Sequence, residues 1–435
     1  MLEDYLRKNS ITNANKVAVV CGEESITYGK LYQYAVARAS ILRKEETRAI
    51  VVRASQTIDF LITYFAIHLA DKVTVPLECT TPNNRFTDIK EIVDNSKIPY
   101  DVADVLFTTG TMGKPKGVMI THDAIIANAE NLIDAQGFTS EHTFIISGPL
   151  NHIGSLSKVW PIIMVGGTII ITNGMKDLEA FFNALEYPCK KMATFLVPTS
   201  LRLLMQFSEE RVRSYAKKID FIETGAAPMS QTDMDKLCSI LPVSRLYNTY
   251  ASTETGIIAT HDYQNDDRIA GCLGLPMKHS KIVIGKDGVV ACMGKTLMKG
   301  YVGDNNLTDS VLHNGVLNTS DLGHFDEKGR LQLDGRIDDI INVGGYKISP
   351  IEIENTAMAY AGIADCICIS CSHPILGTAI KLIYQVKEGE KVSKSSLIAH
   401  LKQNLEGYKI PILYDQSDKI QRTYNGKLDR KHYIR

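Results

Sequence analysis

The 435-residue sequence predicts an α/β fold, with a large multi-layer N-terminal domain that includes a short β-rich portion, and a small α/β C-terminal domain. Three observations predict it. β-Branched runs alternate with helical patterns through about the first 240 residues. Short strands and tight turns follow from about Lys281. A helix start at Ser349 then opens the last segment, so we place a boundary near 336–339 and divide the chain into 1–337 and 338–435.

The N-terminal part contains short apolar runs with the composition of buried strands. These predicted strands are Ala49 to Val52, Val73 to Pro76, Val102 to Phe107 and Thr168 to Thr172. Between the last two, Ala124 to Ala135 carries apolar residues on one helical face, and Thr121 is its predicted N-cap. Residues 79–101 are interpreted as a short linker.

The β-rich portion and the C-terminal segment follow from turn and cap signals. Residues 281–292 predict a hairpin that turns at Asp287-Gly288, and residues 324–333 predict another that turns near Gly329. Beyond the boundary, Ser349 as a cap and Pro350 in the first turn predict a helix. Strands at 366–371 and 379–386 and a helix at 394–405 complete the small domain.

Composition excludes several classes of partner. Lys and Arg total 48 against 49 Asp and Glu, so the net charge of −1 gives no bulk attraction to nucleic acid or to anionic membranes. The longest apolar run, 161–171, is too short to span a bilayer, and no signal peptide is recognisable. We therefore expect a cytoplasmic protein without stable membrane insertion.

The nine cysteines do not follow the spacing of a disulfide framework. Cys366, Cys368 and Cys371 are close together and invite a metal-site interpretation. They lie in an apolar run that predicts a buried strand, in which Cys371 points away from the other two. Buried, structural cysteines are the favoured interpretation.

The most informative segment runs from Phe107 to Gly117, directly after a predicted strand, and is dense in Gly, Thr and Lys. Successive backbone N–H groups in such a turn form an anion-binding concavity, and the threonine hydroxyls and lysines add donors and charge. The alternative is a solvated turn. A Walker loop is excluded because Pro115 follows Lys114 where that motif requires Ser or Thr opening a helix.

This loop resembles the Thr-Ser-Gly-Thr-Thr-Gly-x-Pro-Lys-Gly loop of the adenylate-forming superfamily, which includes acyl-CoA synthetases, aryl-CoA ligases, firefly luciferase and peptide-synthetase adenylation domains. Five further motifs follow in the family's order between residues 225 and 430. Acyl- and aryl-CoA ligases are the most similar in character. The resemblance implies that ATP is bound by Thr108, Thr109, Gly110, Thr111, Gly113 and Lys116.

Two motifs resemble the family's adenine and metal segments. The turn Gly225, Ala226, Ala227 and Pro228 would line adenine. Residues 247–254 resemble the Tyr-Gly-x-Thr-Glu motif, and the residues that the match assigns to the nucleotide or its metal are Asn248, Tyr250, Thr253 and Glu254. By this match Tyr250 stacks on adenine, Thr253 contacts the α-phosphate and Glu254 holds Mg²⁺, a cation that prefers oxygen ligands. Taken alone, Thr253-Glu254 is equally typical of a helix start.

The remaining motifs carry ribose-binding and domain-pivot roles in the family. Asp321 would accept hydrogen bonds from both ribose hydroxyls, for which a carboxylate has the capacity; its alternative is a loop aspartate before Gly323. Arg336 would bind ribose and phosphate. Asp338 would be the hinge of a mobile C-terminal domain, Gly345 would border the thiol tunnel, and Lys427 would enter the site during adenylation.

The resemblance implies an acid–thiol ligase that converts a small carboxylic acid and ATP to an acyl adenylate and then transfers the acyl group to coenzyme A. His152 would lie between the acid pocket and the thiol entry, and a buried structural histidine is the alternative. A separate acyl-carrier protein is the rival acceptor. A degenerate nucleotide-binding homologue is a further alternative, since Met112 replaces a hydroxyl residue of the loop. A homodimer remains open.

Overall fold

The computed structural model of the protein describes residues 1–109, 115–175, 177–343, 346–373, 377–423 and 428–433. The helices in this part are α1 (Leu2–Thr12), α2 (Tyr28–Leu42), α3 (Ile58–Leu69), α4 (Asn83–Asp94), α5 (His122–Gln136), α6 (Ile153–Val165), α7 (Leu178–Glu186), α8 (Pro198–Phe207), α9 (Glu209–Ser214), α10 (Gln231–Ile240), α11 (Asn305–Val311), α12 (Pro350–Met358), α13 (Lys394–Asn404) and α14 (Arg430–Tyr433). Two 3₁₀ turns span Ile337–Asp339 and Gly407–Lys409.

The strands of the described residues form several sheets. In chain order they are β1 (Val17–Cys21), β2 (Glu24–Thr27), β3 (Ala49–Arg53), β4 (Val73–Leu77), β5 (Val102–Thr109), β6 (Pro115–Thr121), β7 (His142–Ile146), β8 (Thr168–Ile171), β9 (Lys191–Phe195), β10 (Ile219–Thr224), β11 (Arg245–Ser252), β12 (Gly256–Asp262), β13 (Cys272–Pro276), β14 (Ser280–Ile284), β15 (Val289–Gly294), β16 (Gly300–Tyr301), β17 (Leu312–His313), β18 (Val316–Phe325), β19 (Leu331–Arg336), β20 (Ile341–Val343), β21 (Tyr346–Ile348), β22 (Ile363–His373), β23 (Gly377–Val386) and β24 (Leu413–Gln416).

The largest sheet has the order β14-β15-β18-β19-β13-β12-β11-β10-β9-β7-β8-β1-β2, with β17 paired to β18. Its stretch from β11 to β1 is parallel, and the stretch from β12 to β14 is antiparallel. The sheet therefore joins a buried α/β half to a β-rich half, as the change of sequence texture near Lys281 predicts.

Three smaller sheets complete the fold. The first has the order β16-β6-β5-β4-β3, and its antiparallel strands β5 and β6 contain the described ends of the glycine-rich segment, up to Thr109 and from Pro115. The short pair β20–β21 follows the 3₁₀ turn. In the C-terminal part, β22-β23-β24 shares one apolar core with α12 and α13. The α/β fold class is thus confirmed.

The local predictions hold where the signal lies in neighbouring residues. The Thr121 hydroxyl accepts a hydrogen bond from the Ala124 backbone N–H at 3.1 Å and caps α5. Both predicted hairpins form, as β14–β15 and β18–β19. Cys366 and Cys368 are buried in the C-terminal core, whereas the Cys371 thiol lies against the Ala379 carbonyl.

Two local predictions were wrong. Residues 79–101 are not a plain linker, because α4 occupies Asn83–Asp94 and buries Ile89 and Val93 against the five-stranded sheet. Ser349 stands at the N-cap position of α12, but its hydroxyl donates to the Asp334 carbonyl instead of capping the helix. In both cases a tertiary contact overrode the local signal. None of the described helices combines the length and apolar character needed to cross a membrane.

Candidate active site

The candidate site lies at one edge of the large sheet. Strands β7, β9, β10 and β11 run parallel, and their ends lie in register, with Ile146 opposite Phe195 and Thr224 opposite Asn248. Segments that leave the carboxyl ends of parallel strands meet at the same crevice. Here those segments carry His152, the 225–228 turn and the 252–255 turn.

The 225–228 turn is packed tightly against β11. A Cβ atom on Gly225 would lie 2.9 Å from the Thr249 carbonyl oxygen, and the next residue, Ala226, has a positive φ of 68°. Only glycine permits this approach, because that backbone oxygen has little room to move. The backbone of this turn, which includes Ala227, therefore lies directly beside β11. This position agrees with the expectation that the turn lines the adenine ring.

Thr253 and Glu254 occupy the tip of a turn between the antiparallel strands β11 and β12. Ser252 and Thr255 close this turn, because the Thr255 N–H donates to the Ser252 hydroxyl and the Ser252 N–H to the Thr255 hydroxyl, each at 3.0 Å. The helix-start alternative was wrong. The turn projects Thr253 and Glu254 beyond the sheet edge while both stay partly buried.

The hairpin β5–β6 reaches this turn through residues 298–302. The Met298 N–H donates to the Glu254 carbonyl, and the Val302 N–H donates to the Gly117 carbonyl, both at 2.8 Å. β16 pairs with β6 in between. The base of the glycine-rich loop and the 252–255 turn are therefore joined by one short strand, although they are far apart in sequence.

Tyr301 is the residue of this junction that sequence reasoning missed. Its hydroxyl donates to Glu254 Oε1 at 3.1 Å, and the Lys116 ammonium lies 5.6 Å from its ring centroid. Burial, and then the nearby Glu254 carboxylate, raise the pKa of Tyr301 well above its usual value, so the phenol remains a donor. One signal was available: a Gly-Tyr pair within a polar segment that no predicted element explained.

Glu254 is chemically suited to Mg²⁺. A carboxylate held by one neutral phenol keeps its charge and further lone pairs for a hard cation. Lys116 supplies a positive charge on the same side. This donor set fits a divalent ion shared with phosphate oxygens.

A second group of predicted residues meets on the β-rich side of the same turn. The Tyr250 hydroxyl donates to Asp321 Oδ2 at 2.5 Å, and Arg336 Nε lies 3.5 Å from Asp321 Oδ1. Burial, followed by the Asp321 charge, raises the pKa of Tyr250, which keeps this hydroxyl a donor too. Asp321 lies in strand β18 opposite Arg336 of β19, so the loop alternative was wrong.

The side chain of Asn248 is engaged within the sheet. It is buried in β11, and its amide donates to the Cys272 carbonyl at 2.9 Å, which ties β11 to β13. Its side chain therefore has a structural partner in the sheet. A role in nucleotide binding stays a prediction for this residue.

His152 is the N-cap residue of α6, and its carbonyl accepts from the Leu156 N–H at 2.9 Å. Phe195, at the end of β9, connects this helix to the 225–228 turn. A Cβ on Gly154 would lie 3.3 Å from the Phe195 ring, and one on Gly225 would lie 3.5 Å from it. Phe195 therefore forms a wall between the two segments.

A buried ion pair lies beside this wall. Lys158 Nζ is 2.7 Å from Glu223 Oε1 and 5.2 Å from the Phe195 ring centroid, and both charged side chains are almost fully buried. Burial lowers the pKa of Lys158, and the Glu223 charge opposes that shift. Removing either partner would leave an uncompensated buried charge.

Several predicted residues cannot be located. Gly110, Thr111, Gly113, Gly345 and Lys427 lie outside the described residues, as do the side chains of Thr109 and Asp338. Of the loop residues, Thr108 and Lys116 are described, and they lie directly opposite each other across the hairpin.

Comparison with known proteins gives two family matches. The family described as AMP-binding enzyme matches residues 83–302, which is about half of the chain, and the AMP-binding enzyme C-terminal domain matches residues 352–427. A 2-succinylbenzoate–CoA ligase of Staphylococcus epidermidis is 26% identical over 98% of this chain and 96% of its own length. A feruloyl-CoA synthase of Amycolatopsis is 27% identical over 75% of this chain and 68% of its own length.

Solved structures show the same fold at low sequence identity. The o-succinylbenzoate CoA synthetase of Bacillus subtilis with its acyl-adenylate intermediate has a TM-score of 0.82 at 20% identity, covering 99% of this chain and 97% of that one. ATP-bound MatB of Rhodopseudomonas palustris has a TM-score of 0.85 at 20% identity, covering 96% and 94%. The chain belongs to the AMP-binding enzyme family.

Proposed function

We propose that the protein activates a carboxylic acid with ATP as its acyl adenylate and then transfers the acyl group to the thiol of coenzyme A. One observation carries the proposal: Lys116, Tyr301 and Glu254 form a continuous contact at the carboxyl edge of the sheet. Tyr250, in the strand that leads into the Glu254 turn, donates to Asp321 of β18. Relatives named as CoA ligases along nearly the whole chain support it.

The first step needs positioning and charge stabilisation. The substrate carboxylate attacks the α-phosphorus of ATP, the bond to the bridging oxygen breaks, and pyrophosphate leaves. The attacking group is already ionised, so no general base is required. Mg²⁺ held at Glu254 would neutralise phosphate charge. Lys116 binds the phosphates, Thr253 orients the α-phosphate, and Asp321 holds the ribose.

The second step needs a thiol in place of the lysine that assists adenylation. We propose that domain 338–435 pivots about Asp338 against domain 1–337. The pivot exchanges Lys427 for the Gly345 region beside the acyl adenylate. Hinge closure around a ligand is an established class of motion. The thiolate then attacks the acyl carbonyl carbon, and AMP leaves.

The acid pocket is proposed to lie between His152, the Phe195 ring and the 225–228 turn. Lys158 beside this wall is neutralised by Glu223, so the wall offers an aromatic face and no net charge. An acid with an aromatic or aliphatic body fits such a wall, because apolar contact is then its main source of affinity. An α-amino acid is disfavoured as the substrate. Its α-amino group would need an aspartate as partner, and none occurs between Asn151 and Trp160.

ATP–pyrophosphate exchange tests the first step directly. We expect exchange that depends on the added acid in a panel of 2-succinylbenzoate, ferulate, long-chain fatty acids and amino acids, with an aromatic or aliphatic acid the best. Glu254→Gln, which should exchange far more slowly with the same acid, is the matched control. No exchange with any acid, from a protein that still binds ATP, would support the degenerate homologue instead.

Thiol consumption with the best acid tests the acceptor. Coenzyme A and a phosphopantetheine-loaded acyl-carrier protein are compared at equal thiol concentration. We expect a higher kcat/KM with coenzyme A. A higher value with the carrier protein would assign the rival acceptor and leave the adenylation proposal intact.

A further inference from the structure

A cluster of three potential metal ligands lies outside the candidate active site. Glu3 is in α1, His68 is in α3, and His122 is the first residue of α5. One ligand atom from each of the three side chains lies within 4.8 Å of the other two. Glu3 and His68 are only 5% and 1% exposed, so the cluster is an internal feature and not a chance surface grouping.

Each of the three side chains presents a buried atom that lacks a hydrogen-bond partner among the described residues. These atoms are Glu3 Oε2, His68 Nδ1 and His122 Nδ1. A buried polar atom without a partner destabilises a fold, because its desolvation is not compensated. Three side chains that meet within 4.8 Å, each with one such atom, indicate a shared occupant.

The hydrogen bonds of His68 Nε2, the second ring nitrogen, indicate what kind of occupant His68 Nδ1 can bind. Nε2 lies 2.9 Å from Asp104 Oδ1, and Asp104 Oδ2 accepts from the Tyr64 hydroxyl at 2.9 Å. Trp160 Nε1 donates to the same hydroxyl at 3.1 Å. A neutral ring that donates from Nε2 to this buried carboxylate carries its lone pair on Nδ1, the atom that lacks a hydrogen-bond partner among the described residues. A histidine that binds a metal commonly donates its other ring N–H to a carboxylate, which fixes the orientation of the ring.

We propose that Glu3, His68 and His122 bind a divalent transition-metal ion of the zinc type. Two imidazoles and one carboxylate suit Zn²⁺ better than Mg²⁺ or Ca²⁺, which prefer oxygen ligands. Ligand atoms at about 2.0–2.2 Å from one zinc ion lie roughly 3.3 Å apart, so modest side-chain rotation closes the cluster. The rival occupant is a buried water, which is held by about three hydrogen bonds.

The location gives the ion a structural role. Asp104 lies in β5, and His122 directly follows β6, so both lie at the end of the β5–β6 pair that is remote from Thr108 and Lys116. Glu3 belongs to the N-terminal helix. The ion therefore ties α1 and α3 to this end of the β5–β6 pair and stabilises the folded state by mass action.

The first experiment measures zinc on the wild-type chain, prepared without an added N-terminal segment because Glu3 is the third residue. Protein is stripped with a chelator, incubated with Zn²⁺, desalted and assayed for metal. We expect one zinc ion per chain and a melting temperature several degrees above that of the stripped protein. No retained zinc and an unchanged melting temperature would overturn the proposal in favour of the water. This measurement does not depend on any variant folding.

The second experiment assigns the ligands. We expect at least tenfold weaker zinc binding in Glu3→Gln and in His122→Gln. His324→Gln is the control: it removes an exposed histidine paired with Asp334, and should bind zinc as the wild type does. Zinc binding equal in His122→Gln and wild type would place the ion elsewhere, for example on cysteines, and would overturn the proposal. Replacing Zn²⁺ by Co²⁺ gives an absorption spectrum that reports nitrogen and oxygen ligands independently of stability.

Discussion

The two parts of the chain that carry the matched motifs hold their charged residues in different ways. In the N-terminal part, Glu254 and Asp321 each accept a hydrogen bond from a tyrosine hydroxyl and remain partly accessible. In the C-terminal part, Arg430 makes two charge-assisted hydrogen bonds to Glu354, at 2.6 and 3.0 Å, and this pair is largely buried.

Arg422, the first residue of the C-terminal motif, is engaged in a similar way. Its guanidinium donates to Asp365 of β22 at 2.7 Å, and Arg202 of α8 lies 3.9 Å from the same carboxylate. The Asp365 carboxylate thus lies close to one arginine of the C-terminal motif and one arginine of the N-terminal part. Both described arginines of that motif have protein carboxylates as partners.

The difference separates two roles within one set of motifs. A carboxylate held by a neutral phenol keeps its charge for an arriving cation, whereas an arginine in a bidentate pair is already neutralised. Glu254 and Asp321 are therefore expected to act on the ligand. Arg422 and Arg430 are expected to position the segment between them, which contains Lys427.

Arg430→Ala should have the largest effect, because it leaves Glu354 as a buried charge without its partner. Breaking a buried pair in this way destabilises by about 3–5 kcal/mol. We expect a lower urea midpoint for the C-terminal part and loss of both half-reactions. The double variant Arg430→Met, Glu354→Leu should regain most of the stability. A single variant as stable as the wild type would contradict a positioning role.

Lys427→Ala tests the opposite role in the same motif. We expect adenylation to fall by about 10²–10³-fold, because a charge that stabilises the transition state is removed. Acyl transfer from supplied acyl adenylate and the melting temperature should stay near wild type. Equal loss of both half-reactions would mean that Lys427 positions the domain rather than the phosphates. Lys402→Ala, an exposed change on α13 of the C-terminal part, is the control.

Glu254→Gln is expected to lower adenylation about 10²-fold, roughly 2.7 kcal/mol, with little change in stability. The amide keeps the size of the side chain and can still accept from Tyr301, but it loses the charge that attracts Mg²⁺. Raising the Mg²⁺ concentration should recover part of the rate. Glu327→Gln, an exposed change on the β18–β19 hairpin, should leave the rate unaltered. Unchanged Mg²⁺ dependence in Glu254→Gln would remove Glu254 from the metal site.

Interactions between residues adjacent in sequence made the helix start and the hairpin turn predictable. Thr121 caps α5 and Gly288 turns a hairpin because neighbouring residues determine both conformations. The family motifs, identified by their order, placed Glu254, Tyr250 and Asp321 in the candidate site before any contact was known. The fold class and the enzyme family were correct for that reason.

Contacts between distant segments were not predictable. The pairing of β16 with β6 brings Tyr301 to Glu254, and no signal within either segment encodes that pairing. Asn248 matches the family motif, yet its side chain donates a hydrogen bond to β13. From the sequence, Glu3 has only the typical character of an acidic residue in the first turn of a helix. Its proximity to His68 and His122 arises from the packing of α3 and α5 against α1.

Tyr301→Phe should have the smallest effect and most sharply tests the idea that phenols hold the cleft carboxylates. It removes one hydroxyl but keeps the ring beneath Lys116. We expect about a fivefold to tenfold loss of adenylation, which corresponds to the net contribution of one ordinary hydrogen bond. The loss should appear mainly as a higher Mg²⁺ requirement, because a freely rotating Glu254 must be oriented when the ion binds.

Tyr250→Phe, its counterpart on Asp321, should instead raise KM for ATP. The same kinetic change in both variants would mean that the two tyrosines merely pack the cleft, and the distinction between its metal side and its ribose side would fail.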